Sequence, residues 1–167
     1  MNKSWFNIKV KYSKPDEDGA EQKVTEEYLL DAYTYTEAET RMYQIIQDDL
    51  GSGSEVSSIT KSNYAEVMRG EEGQAWWKSR ITLISFDEES GKEKQTNQNI
   101  LVQAEDIADA FNKLNKALGR GVTEFLIPNI AYTKILEVYE QAAPAEPEEG
   151  SKPRKSGLKP ATSFDEE

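Results

Sequence analysis

The chain has 167 residues, enough for one ordinary domain or two small ones, with 31 acidic against 20 basic residues and a net charge of −11. It contains no cysteine and no histidine, which excludes disulfides, thiolate catalysis and cysteine metal sites and removes the usual neutral-pH general base. Hydrophobic residues make up 37%, low for a compact enzyme, with part of the deficit in a polar tail, and with no cysteine or histidine a non-enzyme without cofactor or metal is expected.

The negative charge opposes unspecific adhesion to duplex DNA or to an anionic membrane. Screening limits the reach of distant charges to about 10 Å, so a local basic surface is still allowed. No apolar run approaches the roughly 20 residues of a membrane helix, and Met1 to Trp5 lacks the apolar core of a signal peptide. A soluble protein of the cytoplasm, without membrane association, is expected.

Residues 5–13 read as a strand. Alternation places Phe6, Ile8, Val10 and Tyr12 on one face and Trp5, Asn7, Lys9 and Lys11 on the other. Lys14 to Gly19 is a turn, and residues 22–33 complete a hairpin. A helix is expected from Thr36, where Thr36-x-x-Glu39 has the pattern of a capping box. Its apolar stripe is Ala38, Met42, Ile45 and Ile46, and Gly51 stops it. Residues 54–68 form a third strand.

The order then restarts. Residues 76–86 form a strand with Trp77, Ile81 and Leu83 on one face and Trp76, Lys78 and Arg80 on the other. Residues 94–103 form its hairpin partner. A helix over 105–118 turns Ile107, Ala110, Phe111, Leu114 and Leu118 inward, and residues 122–139 form a last extended segment whose Pro128 suits an edge or a bulge.

Trp5 and Trp76 lie 71 residues apart, and the same shift maps Leu30 onto Leu101, Ile59 onto Ile130 and Val67 onto Val138. With one residue fewer, Thr36 falls on Asp106 and Ala38 on Ala108. The chain therefore reads as an α+β protein built from a duplicated β-β-α-β unit. It should have mainly antiparallel sheet, two helices and a pseudo-twofold axis. Residues 1–141 form one domain of two repeats, about 4–70 and 75–141. Residues 142–167, rich in Pro, Glu and Lys, read as a disordered tail. Residues 1–142 alone carry 25 acids and 16 bases, so the tail is not the source of the acidity.

The strings Trp5-Phe6-x-x-Lys9-Val10-x-Tyr12, Lys23-Val24-Thr25-Glu26-x-Tyr28-Leu29-x-Asp31-Ala32 and Tyr35-Thr36-Glu37-Ala38-Glu39 recur in a known pattern. So do Asp87-Glu88-x-Ser90-Gly91-x-Glu93-Lys94 and Leu101-Val102-Gln103-Ala104. Together they resemble the family catalogued as domain of unknown function 4494, from gut anaerobes and their tailed phages. The resemblance covers about residues 4–139 and implies a phage or prophage origin. It implies no activity and no catalytic residue. In design, the duplicated hairpin-and-helix unit is similar to Whirly-type single-stranded DNA-binding proteins, although here a strand follows each helix.

The outward face Trp5, Lys9, Lys11 with Trp76, Lys78, Arg80 has the residues that single strands need: aromatics to stack on bases and cations to meet phosphates. The structural alternative is that each Trp covers a neighbouring element and the cations are solvated. The end of the tail, Phe164-Asp165-Glu166-Glu167, resembles the partner-recruiting ends of single-strand binding proteins, with the acids after the aromatic instead of before it. The acids at Asp16 to Asp18 and Asp87 to Glu89 lack calcium-loop spacing and read as solvated turns.

The expected function is a non-catalytic phage protein that binds single-stranded DNA or assists replication. Its partners would be single-stranded DNA and a replication or host protein through the tail, with a homo-oligomer left open. The alternatives are an acidic inhibitor that sequesters a host component or nucleotide signal, and a virion assembly protein.

Overall fold

A computed structural model of the chain describes residues 2–51, 53–121 and 123–141. The expected tail determinant, Phe164 to Glu167, lies outside the described residues. Strands β1 (Ser4–Pro15) and β2 (Glu21–Ala32) form the first hairpin. In its turn the Asp16 carboxylate accepts the N–H groups of Asp18 and Ala20, and Gly19 takes a φ of +80°. Helix α1 (Tyr35–Ile45) follows and continues through one π-helical turn at Ile46–Leu50. Strands β3 (Glu55–Ser62) and β4 (Tyr64–Met68) complete the first half. The second half runs β5 (Ala75–Asp87), β6 (Lys92–Ala104), α2 (Ile107–Leu118), β7 (Glu124–Tyr132) and β8 (Ile135–Tyr139).

The class is α+β, with two helices and two mixed four-stranded sheets, of order β3-β1-β2-β8 and β4-β6-β5-β7, among the described residues. The segments 54–68 and 122–139 are each two strands, not one. β3 pairs antiparallel with β1, but after Asn63 the chain changes sheet and β4 pairs parallel with β6. β7 likewise pairs antiparallel with β5, and β8 crosses over to pair parallel with β2. Among the described residues four of the six pairings are antiparallel, in line with the expected mainly antiparallel sheet, and the two parallel ones make both sheets mixed. Strands that pass from one sheet to the other make the corners of such a packing. Pro128 sits on the edge strand β7, beside a register shift between Arg80 and Thr82, where no ladder bond needs its missing N–H.

Both helix starts differ from expectation. Thr34, not Thr36, caps α1: its hydroxyl accepts the Glu37 N–H at 3.1 Å, and the Glu37 carboxylate accepts the Tyr33 N–H at 2.9 Å. The capping box is thus Thr34-x-x-Glu37, and an edge-on contact of Tyr35 with Phe6 at 4.9 Å fastens this first turn to the sheet. Asp106 caps α2 through the Asp109 N–H at 2.7 Å, while Asp109 reaches back to the Glu105 N–H. Ile107 and Phe111, expected inward, stand 52% and 46% exposed. The stripe that meets the sheet is the narrower i, i+4, i+8 series of Ala110 and Leu114, both fully buried, and Leu118, partly buried against the same cluster.

Three apolar clusters hold the layers. Phe6, Ile8, Val10, Tyr28 and Leu30 pack against Ala38 and Met42 of α1. Ile81, Ile100, Val102 and Ala104 pack against Ala110 and Leu114 of α2. On the opposite faces the sheets meet each other through Leu29, Ile135 and Val138 from one and Trp76 and Leu101 from the other. The helices therefore lie outside and the sheets face inward.

Two polar braces fix the exchanged strands. The Asp31 carboxylate, buried at 6% exposure, accepts the Gln141 N–H at 2.8 Å, and the Arg41 guanidinium meets both its carboxylate and its backbone oxygen. The Gln103 side-chain oxygen accepts the Gly70 N–H at 3.1 Å, and Lys113 donates to the Gln103 backbone oxygen at 3.0 Å. Gly70 lies so close that a Cβ would collide with that backbone oxygen. Gly70→Ala should therefore lower stability by roughly 1–3 kcal/mol, the usual cost of overpacking, read as a lowered midpoint in denaturant.

Candidate nucleic-acid interface

Beyond the shared apolar cluster the inner faces of the sheets are polar. On the inner face of β5, alternation follows Trp76 with Lys78 and Arg80, both exposed. Neither forms an ion pair among the described residues. They line a 560 Å³ cleft with Asn63, Asn97, Gln98, Asn99 and Asn129. Among the described residues no carboxylate lines it, although acids outnumber bases over the chain as a whole.

A second cleft, of 700 Å³, is lined by Lys3, Ser4, Trp5, Lys61, Ser62, Asn63, Tyr64 and Ala65. The two meet at Asn63, the residue where the chain changes sheet. Trp5 is half-buried against the central cluster, which leaves part of its ring at the cleft. Tyr64 lies at the junction, with the Lys78 ammonium 5.9 Å from its ring centre. Burial and the nearby Glu27 carboxylate push the Tyr64 hydroxyl up to about 12, so it stays a neutral donor at physiological pH.

The six expected contact residues separate into three groups. Trp5, Lys78 and Arg80 line the adjoining clefts. Trp76 does not reach them: it is fully buried in the central cluster, with the Arg69 guanidinium 5.9 Å from its ring. The single-sequence picture of two equal outward tryptophans is corrected accordingly, because the second inner face closes over its Trp. Lys9 and Lys11 are exposed but lie elsewhere. Lys9 stands opposite Glu27 in the β1–β2 register, and Lys11 lines a separate 170 Å³ hollow with Lys23 and Glu55. At the acidic turns, Asp87 accepts from the Glu89 N–H and the Ser90 hydroxyl, which hold its carboxyl below the usual range. Among the described residues no group of three acids converges to hold a metal ion.

Asn63, Asn97, Asn99 and Asn129 were not anticipated. A signal was present, since asparagine is depleted in strands and the run Asn97-Gln98-Asn99 sits inside β6. Such a run is tolerated where the strand face meets water or a polar ligand instead of a core.

These features define an acidic α+β protein that carries a cationic cleft, lined by no carboxylate among the described residues, on the inner face of one of its sheets. Residues 4–141 match the model of a family described as a domain of unknown function (DUF4494), and the chain belongs to that family. No curated protein and no solved structure matches the chain. Among the described residues no helix is long and apolar enough to cross a membrane.

Proposed function

We propose that the protein is a non-catalytic, phage-associated protein that binds single-stranded DNA, either directly in replication or as an accessory to it. The observation that carries this reading is the meeting of two clefts at Asn63, which brings half-buried Trp5 near Lys78 and Arg80. A strand needs aromatic faces worth roughly 1–3 kcal/mol per stacked base and cations along its backbone. Trp5 and Tyr64 supply the first, Lys78 and Arg80 the second. Trp76 leaves the contact set. Lys9 and Lys11 would at most border it, and Phe164 to Glu167 stay a proposed recruiting end.

The test is tryptophan fluorescence of the full chain titrated with an oligothymidine at low salt. Quenching that saturates is expected, and Trp5→Ala should weaken binding about tenfold, the equivalent of one lost stacking contact. An unchanged signal at micromolar strand would sink the reading.

The pseudo-twofold duplication belongs to the same proposal. Two observations support it: the sheet orders interconvert when β1, β2, β3 and β8 are exchanged for β5, β6, β7 and β4, and the two polar braces use like positions. In this alignment Leu29 answers Leu101, Asp31 answers Gln103, and Arg41 answers Lys113, one residue beyond the Trp5–Trp76 spacing. Thr34, not Thr36, then answers Asp106, and Ala110, not Ala108, answers Ala38.

A second reading draws on the size of the Lys78–Arg80 cleft, which lies in the range of small-ligand pockets. An acidic phage protein with such a cleft suits sequestration of a host nucleotide or inhibition of a host component. Recovery of a stoichiometric host protein with the tagged chain, without DNA in the eluate, would favour it.

A further inference from the structure

The cleft around Lys78 and Arg80 is not merely positive; its hydrogen-bonding groups are sorted. The Thr82 hydroxyl donates to the Asn97 side-chain oxygen at 2.8 Å. The Asn99 amide donates to the Asn63 side-chain oxygen at 3.0 Å. Each bond takes up one acceptor site of an amide oxygen and leaves the NH2 groups of Asn97 and Asn63 as donors, while the Asn99 oxygen stays an acceptor. With the guanidinium of Arg80 and the ammonium of Lys78, donors dominate the lining. A ligand that fits must be rich in acceptors and negatively charged.

The same place on the other sheet is built differently. Arg80 stands opposite Asn99 in the β5–β6 register, whereas Lys9 stands opposite Glu27 in the β1–β2 register. The Asn7 amide donates to that Glu27 carboxylate at 2.5 Å. One inner face is thus neutralised by an acid in register with its cation, and the other keeps its charge beside an amide.

We propose that the Lys78–Arg80 cleft is a phosphate site, one that holds a phosphomonoester group on its own. The two cations match the dianion of such a group, and the guanidinium offers two parallel donors to two of its oxygens. The amides of Asn97 and Asn63 supply further neutral donors. The group is carried by a free nucleotide or by the end of a strand. The inference rests on the same cleft as the strand-binding reading, yet it stands or falls separately, because it requires no base stacking on Trp5.

The experiment follows the side-chain amide signals of Asn97 and Asn63 by NMR in the full chain. The additions are inorganic phosphate, thymidine monophosphate, unphosphorylated thymidine and an oligothymidine without a terminal phosphate. Phosphate and the monophosphate should shift both amides to saturation at millimolar concentration, and thymidine should leave them in place. Arg80→Gln should weaken monophosphate binding about tenfold, the loss of one charge-assisted hydrogen bond. Thr82→Val changes no charge but frees the Asn97 amide to turn its oxygen into the cleft, and it too should weaken binding. If phosphate and monophosphate leave both amides unmoved, or bind Arg80→Gln and Thr82→Val as they bind the parent, the proposal is overturned. Oligothymidine binding without monophosphate binding rejects the phosphate site and spares the strand reading. Monophosphate binding without oligothymidine binding does the reverse.

Discussion

Trp76→Ala should destabilise the fold by about 3–5 kcal/mol, the range for deleting a fully buried large aromatic. Among the described residues Trp76 is the largest of the fully buried side chains, and it sits where both sheets contribute to one cluster. A truncated side chain would leave a cavity bounded by Leu29, Leu101, Ile135 and Val138, which belong to strands from both halves. Such collapse cannot be local, because filling the hole means moving one sheet relative to the other. For a domain with roughly 5–15 kcal/mol of total stability, much of the margin is removed. Denaturant unfolding followed by circular dichroism measures it. Trp76→Phe should cost much less, because the indole N–H is buried without an acceptor among the described residues. If Trp76→Ala melts like the parent and loses DNA binding instead, the burial of this ring in the central cluster is wrong.

On the proposed strand-binding function, neutralising Lys78 and Arg80 together to Gln should remove most of the binding and flatten its salt dependence. Each cation that meets a single-strand phosphate contributes about 0.7 to the slope of log affinity against log salt, so the double variant should lose about 1.4. Lys9→Gln with Lys11→Gln is the control. Lys9 already faces Glu27, and Lys11 lines a different hollow, so their removal should change the slope far less. Equal losses from both pairs would mean that charge anywhere on the surface suffices and that the cleft has no special standing. The comparison needs only binding isotherms at several salt concentrations, and both pairs are exposed, so folding should be spared.

How far the sequence foretold this molecule follows from particular residues. The alternation of Phe6, Ile8 and Val10, and of Trp77 and Ile81, put the right side chains toward the helices, because a half-buried strand has a period of two whatever it pairs with. Gly19 and Gly91 marked both hairpin turns, and both take positive φ. Alternation was silent at Asn63. A strand that bends and changes sheet keeps its period, so β3 and β4 read as one element and the parallel pairings went unseen. The same blindness misplaced Trp76. Periodicity says that a side chain leaves a given face, not whether a second sheet covers that face. Thr36-x-x-Glu39 and Thr34-x-x-Glu37 were equally good capping boxes by pattern, and tertiary contact through Tyr35 accompanies the second. The cleft was half legible: Lys78 and Arg80 stood out, but the asparagines join them only through the β5–β6 register and the crossing at Asn63.

The crossing of β8 into the first sheet has a consequence for how the chain is made. Residues near the amino end leave the ribosome early and can form the β1–β2 hairpin at once. Their sheet, however, waits for Ile135–Tyr139 to add the strand beside Leu29, and for Gln141 to reach Asp31. In the second sheet the parallel strand is made early, since β4 precedes β6, and the strand that comes late is the antiparallel edge β7, which ends at Tyr132. Synthesis therefore imposes an order on assembly: β4 is made before the sheet it joins and β8 long after its own, so the first sheet keeps an open parallel edge until translation of the domain is nearly done. Contacts this distant in sequence fold slowly, and the unfinished edge is the place where a nascent chain is exposed to wrong pairing.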